Sequence, residues 1–384
     1  MRLHAIARKE DTGRIEELLE DGEDINSRDD TGRTALSWAA EKGNESVVEH
    51  LLRMDGINVN SKDNVGQTAL SRAAENGNET VVGQLLKKKG IDINSKDNDG
   101  RTALSRAAEK GHTYTVKLFG TDGVDLNPKD NDGRTALLRA AEQADKSIVV
   151  QLLRADGIDL NSKDNEGQTA LSRAAEKGNT LMVKQLLNSD GIDLDSKDND
   201  GQTALSRAAE NGNKRVVGQL LTKNSININS KDNDGRTALS RAAEKGNENV
   251  VEQLLGADGI DVNSKDNDGQ TALWRAMEKG HVAMAYRSIL KRDSATLHLA
   301  IQCRDHRIIQ MLLNGPVDIK GVMAKSWRNA YGQQPSDIVL LSEGEGQHKS
   351  VRRVAEREIG QELAHGLANT AGKRNLLYVF PFPY

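Results

Sequence analysis

Residues Asp232 to Lys265 read DNDGRTALSRAAEKGNENVVEQLLGADGIDVNSK. Each part predicts a local structure. Thr237 suits a helix N-cap, because its hydroxyl can accept an orphan N–H of the first turn. Ala238 to Glu244 then form a short helix, in which the small Ala242 and Ala243 permit close packing. Gly246 follows as a left-handed terminator. Asn247 is expected to cap a second helix carrying Val250, Val251, Leu254 and Leu255, which share one apolar face. Gly259 stops that helix, and Ile260 to Gly269 alternates and turns in the manner of a β-finger.

This stretch is one copy of many. The string Gly-[Arg/Gln]-Thr-Ala-Leu recurs at Thr34, Thr68, Thr102, Thr135, Thr169, Thr203, Thr237 and Thr271, at intervals of 34, 34, 33, 34, 34, 34 and 34 residues. A fixed period of this length marks stacked supersecondary units, which bury a continuous core only against their neighbours and need distinct units at the ends.

The unit resembles the ankyrin repeat, whose signature includes D-x-x-G-x-T-P-L-H-x-A-A-x-x-G and V-x-x-L-L. The resemblance covers about residues 1–318 and implies an all-α solenoid with short β-fingers, of about ten to eleven repeats. Residues 1–29 read as the N-cap, 30–266 as regular repeats, 267–318 as divergent repeats, 319–368 as a degenerate repeat with a capping helix, and 369–384 as an aromatic-rich tail. The family's Thr-Pro-Leu-His is Thr-Ala-Leu-Ser in most units here. Ala keeps good helix propensity where Pro would pre-set φ, whereas Ser is expected to replace only part of the histidine's hydrogen bonding.

Composition narrows the function classes. The 384 residues hold 53 basic and 57 acidic side chains, a balance of −4 without the cationic surplus of a general nucleic-acid binder. The single Cys303 excludes an internal disulfide framework and Cys-based zinc modules. No apolar run approaches membrane-spanning length, and the first ten residues carry no signal-peptide core. These features predict a cytoplasmic or nuclear monomer without membrane association. No phosphate loop, G-x-S-x-G or H-E-x-x-H occurs. The repeated Lys-Asp-Asn-Asp-Gly is not a calcium loop, because Gly100 lies fourth after Asp97 and Ala108 stands where the closing Glu belongs. No cofactor, metal or catalytic residue is expected.

Three regions break the pattern. Residues 111–145 are one position short, carry His112, Tyr114, Phe119 and Pro128, and place Ala144 where the glycine terminator belongs. Residues 274–306 gather Trp274, His281, Tyr286, His298, Cys303 and His306, at spacings that fit no standard metal site. Residues 319–384 hold 9 bases and 6 acids, a balance of +3 that leaves −7 for the array. This tail ends in Leu376-Leu-Tyr-Val-Phe-Pro-Phe-Pro-Tyr, able to fold back or to meet a partner.

The first helices carry a polar ladder: Arg72, Arg106, Arg139, Arg173, Arg207, Arg241 and Arg275, each followed three residues on by Glu75, Glu109, Glu142, Glu176, Glu210, Glu244 and Glu278. Residues at i and i+3 share a helix face, so the simplest reading is pairing along and between repeats. The resemblance implies protein partners on the concave face of first helices and finger tips. It places this ladder, Trp274 and tip positions such as Asn98, Asp99 and Arg101 there. The expected function is a non-catalytic interaction scaffold. The alternatives are an enzyme or small-molecule site in residues 274–384, or the detached recognition array of a larger NACHT-type receptor.

Overall fold

The structure is a computed structural model, which describes residues 3–7, 9, 11–120 and 123–281. Met284, Tyr286, His298, Cys303, His306, the 319–368 segment and the aromatic tail lie outside the described residues. The chain divides into two units, one of residues 1–208 with 218–227, the other of 209–217 with 228 onward.

In the first unit, helices alternate between two rows. The first row is α1 (Leu3–Ala7), α3 (Ala35–Lys42), α5 (Ala69–Glu75), α7 (Ala103–Glu109), α9 (Ala136–Gln143) and α11 (Ala170–Glu176). The second is α2 (Thr12–Glu20), α4 (Glu45–Arg53), α6 (Glu79–Leu86), α8 (Thr113–Leu118), α10 (Lys146–Leu153) and α12 (Thr180–Leu187). Each helix packs on its partner and on the next member of its own row. Helices α13 (Ala204–Glu210) and α14 (Lys214–Leu221) span the division between units, and α15 (Ala238–Glu244), α16 (Glu248–Leu255) and α17 (Ala272–Glu278) belong to the second unit.

The core follows from the repeated pattern. Ala73 with Ala74 and Ala107 with Ala108 are fully or almost fully buried, so first-row helices approach with little side chain between them. The second row contributes Val81, Val82 and Leu85, and their equivalents, to the same interior. Each such Val or Leu adds about 1.5–3 kcal/mol relative to exposure. Thr68, Thr102, Thr169 and Thr237 cap their helices as expected, each hydroxyl accepting the N–H of the serine three residues on. The hydroxyls of Ser71, Ser105 and Ser240 lie within hydrogen-bonding distance of the same threonines, so they serve their own repeats.

Asn247 behaves differently from expectation. It stands at the N-cap position of α16 but makes no side-chain cap hydrogen bond. Its Nδ2 instead donates to the carbonyls of Ala209 and Glu210 in the preceding first helix, at 3.0 and 2.8 Å. Asn78 does the same to Ala40 and Glu41. The amide answers carbonyls that the helix end cannot pair internally, so this asparagine joins repeats rather than starting a helix.

Among the described residues the fingers contain no strand. Their turns are closed by side chains. Asp63 Oδ1 accepts the backbone N–H groups of Val65 and Gln67, while the Asp63 N–H donates to the Gln67 carbonyl. Successive turns share one backbone bond, such as Asn98 N–H to the Val65 carbonyl at 3.1 Å, which is too little for a ladder. Gly66 is required twice over: its φ is +80°, and a Cβ would lie 2.7 Å from the Asn98 nitrogen. Lysines tie the same segments together, Lys62, Lys96, Lys129 and Lys163 each donating to the carbonyl of the equivalent lysine in the next repeat.

Candidate interaction surface

The arginine ladder lies beside the turns. Arg173 reaches back nine residues to Asp164, with Nε donating at 2.8 Å and a second nitrogen 2.7 Å away. The Asp164 side chain is 1% exposed, and its other oxygen already accepts two turn N–H groups. The same pairing joins Arg72 to Asp63, Arg106 to Asp97, Arg139 to Asp130, Arg207 to Asp198, Arg241 to Asp232 and Arg275 to Asp266. Each arginine therefore pins its helix to the turn that precedes it. Burial by itself would lower the Arg173 pKa, but its bonds and proximity to Asp164 outweigh that and raise it.

The expected i,i+3 pairing is largely absent. Among the described residues, charged groups of this spacing on the ladder meet within 4.0 Å at Arg173–Glu176 and Arg275–Glu278. A guanidinium gains more from placing two N–H groups on one oxygen of a buried carboxylate than from a more exposed glutamate one turn on. The glutamates face other partners. Arg101 meets Glu109 at 3.0 Å, Arg134 meets Glu142 at 3.1 Å and Arg236 meets Glu244 at 3.2 Å. Gln67 and Gln168 donate to Glu75 and Glu176. Between repeats, Glu75 approaches Arg106 at 3.8 Å and Glu210 approaches Arg241 at 3.9 Å. The turn aspartates thus close their turns and also hold the ladder arginines. Their second role was visible as an aspartate nine residues before every ladder arginine.

Two tryptophans vary the theme. Trp38 occupies the ladder position in its repeat, and its Nε1–H donates to Asp29 at 2.7 Å, as an arginine would. Burial alone would raise the Asp29 pKa; hydrogen bonds from the Thr31 and Trp38 side chains and from the Arg33 and Thr31 backbone N–H groups hold it well below the usual carboxylate range. Trp274 is buried in α17, its ring 5.9 Å from the Arg275 guanidinium carbon, so it offers little surface to a partner.

What faces solvent along the turns is a second set of acids. Asp99, Asp132, Glu166 and Asp200 recur in four consecutive repeats of the first unit, with side chains 58–66% exposed, whereas the two repeats before them carry Thr31 and Val65 at this position. Each accepts from, or lies within 3.0 Å of, the ladder arginine behind it. In the second unit Asp234 and Asp268 hold the equivalent places beside Arg241 and Arg275. The ladder arginines thus orient a row of carboxylates. Among the described residues no group of three or more His, Cys, Asp or Glu side chains is placed to hold a metal ion. No described helix is long and apolar enough to cross a membrane.

Helix pairs stacked at a fixed period, joined by side-chain-stapled turns, define a solenoid repeat protein. The family model described as "Ankyrin repeats (3 copies)" matches residues 3–97, 89–164, 140–232 and 171–266. The chain belongs to the ankyrin-repeat family. Among solved structures it is similar to the ankyrin repeat domain of Bcl-3, a member of the IkappaB protein family, at 28% identity and a TM-score of 0.53. That similarity covers 58% of this chain and 98% of the Bcl-3 domain. No curated protein matches the chain.

Proposed function

We propose that the chain is a non-catalytic protein-interaction scaffold of the cytoplasm or nucleus. Its partner lies across first-row helices and turn tips, the concave face of the family. The row of exposed carboxylates Asp99, Asp132, Glu166 and Asp200 carries this reading, because it repeats a charge at a fixed interval over four consecutive repeats. Such a row fits a partner that presents cationic groups at a matching interval. Arg72, Arg106, Arg139, Arg173, Arg207, Arg241 and Arg275 act in this reading by positioning, each fixing its turn. Glu75, Glu109, Glu176 and Glu210 fix the neighbouring side chains.

The test is capture of partners from source-cell lysate, identified by mass spectrometry, with the full chain and with D99N/D132N/E166Q/D200N. All four positions are exposed, so the variant should retain the helical circular dichroism of the parent. A protein retained by the parent and lost by the variant supports the scaffold and locates its surface. A protein retained equally by both removes the turn tips from the interface.

A further inference from the structure

The repeats serve as an alignment of the chain with itself. The first-row sequence Ala-Leu-Ser-Arg-Ala-Ala-Glu is identical in α5, α7, α11, α13 and α15. The second row keeps its buried apolar positions but not its outer ones. Helix α4 is ESVVEHLLR, α6 is ETVVGQLL and α16 is ENVVEQLL, all with glutamate outside. Between them, α14 is KRVVGQLL, likewise without an acid, while α8 is TYTVKL, α10 is KSIVVQLL and α12 is TLMVKQLL. These three helices pack consecutively and contain no acidic residue.

Their outer face has a definite chemistry. Lys117, Lys146 and Lys184 are exposed and make no ion pair within the described residues. Tyr114 is 69% exposed and Leu181 61%, in positions that are Thr80 in α6 and Asn249 in α16. Helix α8 is also two residues shorter than α6, α10 or α12. Where it stops, a cleft of about 560 Å³ opens between α8 and α10. Val116, Val124, Leu126 and Leu152 line it, with Lys117 and Arg154 among its charged members and Asp156 the acid. Exposed apolar groups, a cleft of mixed polar and aliphatic lining, and lysines without an ion pair among the described residues therefore coincide on three adjacent helices, and the glutamates of α4, α6 and α16 are missing there.

We propose that the outer face of α8, α10 and α12 docks an acidic peptide segment of a partner protein, whose bulky apolar side chain enters the cleft between α8 and α10 while its carboxylates meet Lys117, Lys146 and Lys184. Charge complementarity selects this occupant: a segment rich in Asp and Glu neutralises lysines that have no ion pair among the described residues, and its apolar residue covers Tyr114 and the cleft. The surface lies on the second row, separate from the turn-tip carboxylates, and stands whether or not those carboxylates bind a partner.

The test is selection of a random 12-residue peptide library, displayed on phage, against the immobilised full chain. Recovered peptides are then synthesised with a fluorescent label, and affinity is read by anisotropy. Recovered sequences should be rich in Asp and Glu around one bulky apolar residue, and affinity should fall as salt rises. K117E/K146E/K184E should weaken binding at least tenfold and Y114S/L181S at least threefold. E248K/E252K on α16 and D99N/D132N/E166Q/D200N should leave it unchanged. Glu248 is half-buried and the other substituted side chains are exposed, so unchanged circular dichroism excludes unfolding as the cause. Failure to enrich any peptide, recovery of neutral or basic peptides, or affinity indifferent to the lysine reversals would overturn the proposal. Charge-dependent binding to phosphatidylserine vesicles without peptide binding would overturn it in favour of a membrane surface.

Discussion

The helix pairs α11/α12 and α7/α8 have the same first helix and very different second helices. In the regular pair, Met182, Val183, Leu186 and Leu187 are all buried along eight helical residues. In the shortened pair, six residues bury Thr115 and Val116, and Phe119 just beyond the helix fills the interior at 0% exposure. The following junction is altered too. Ala144 takes the left-handed conformation at φ +64°, the one non-glycine residue described with positive φ. Asp145, which replaces asparagine, caps its own helix by accepting the Ile148 N–H, as Asn179 does from Met182 in the regular pair, and lacks the amide hydrogens by which Asn78 and Asn247 reach back. The first row and the turns tolerate almost no change because one aspartate there serves a turn and an arginine together. The second row tolerates change on its outer side, where nothing packs.

Variants can break this contrast. The largest effect is expected at Asp164. Asp164→Ala leaves Arg173 buried without its carboxylate and two turn N–H groups without an acceptor. Removing one member of a buried pair costs about 3–5 kcal/mol, whereas Glu166→Gln on the exposed side should cost less than about 1 kcal/mol. Urea unfolding followed by circular dichroism separates the two, and equal midpoints would show that the turn does not depend on the buried carboxylate.

Phe119→Ala should be nearly as damaging, at about 3–5 kcal/mol. In the regular repeats that interior is filled by a leucine on the second helix, so Phe119→Leu should recover most of the loss. No recovery would mean that the shortened unit needs the ring itself.

Ala144→Gly should stabilise the chain by about 1 kcal/mol, because the left-handed conformation strains an L-residue with a Cβ. Gly178→Ala, at φ +72° in the equivalent place of the regular pair, should cost a similar amount. Thermal melts of the two variants should move in opposite directions, and a loss of stability in Ala144→Gly would show that the Ala144 methyl makes a compensating contact.

The smallest effect concerns Asp195, which stands where Asn127 and Asn161 stand in other repeats. Burial pushes its carboxyl up, the Asn227 backbone N–H lowers it in part, and neighbouring Asp193 raises it further. A raised carboxyl favours folding when protonated, and that contribution is lost as pH rises through its folded value. Asp195→Asn should therefore gain a few tenths of a kcal/mol at neutral pH after solvent screening. The gain should vanish below the ordinary carboxylate range near about 3.9. A gain of equal size at acid pH would exclude the charge as its cause.

Much of this architecture was legible in the sequence. The interval of Thr34, Thr68 and Thr102, the threonine caps and the left-handed Ala144 all follow from local rules of spacing and backbone preference. The partners of the polar side chains did not follow. Arg106 and Glu109 share a helix face and read as a pair, yet the arginine turns to Asp97. Asn247 reads as a cap and bonds to another repeat. Helical periodicity says which side chains are neighbours on one element, but not which of several polar partners is buried. That choice depends on dielectric and on the reach of the guanidinium, and both arise only when one helix pair is laid against the next. The same holds for the outer face of α8, α10 and α12. The sequence by itself determined which residues differ from the repeat. Only the tertiary structure decided that Tyr114, Lys117, Lys146, Leu181 and Lys184 are exposed on adjacent helices, because stacking carries residues a repeat length apart in the chain into one surface.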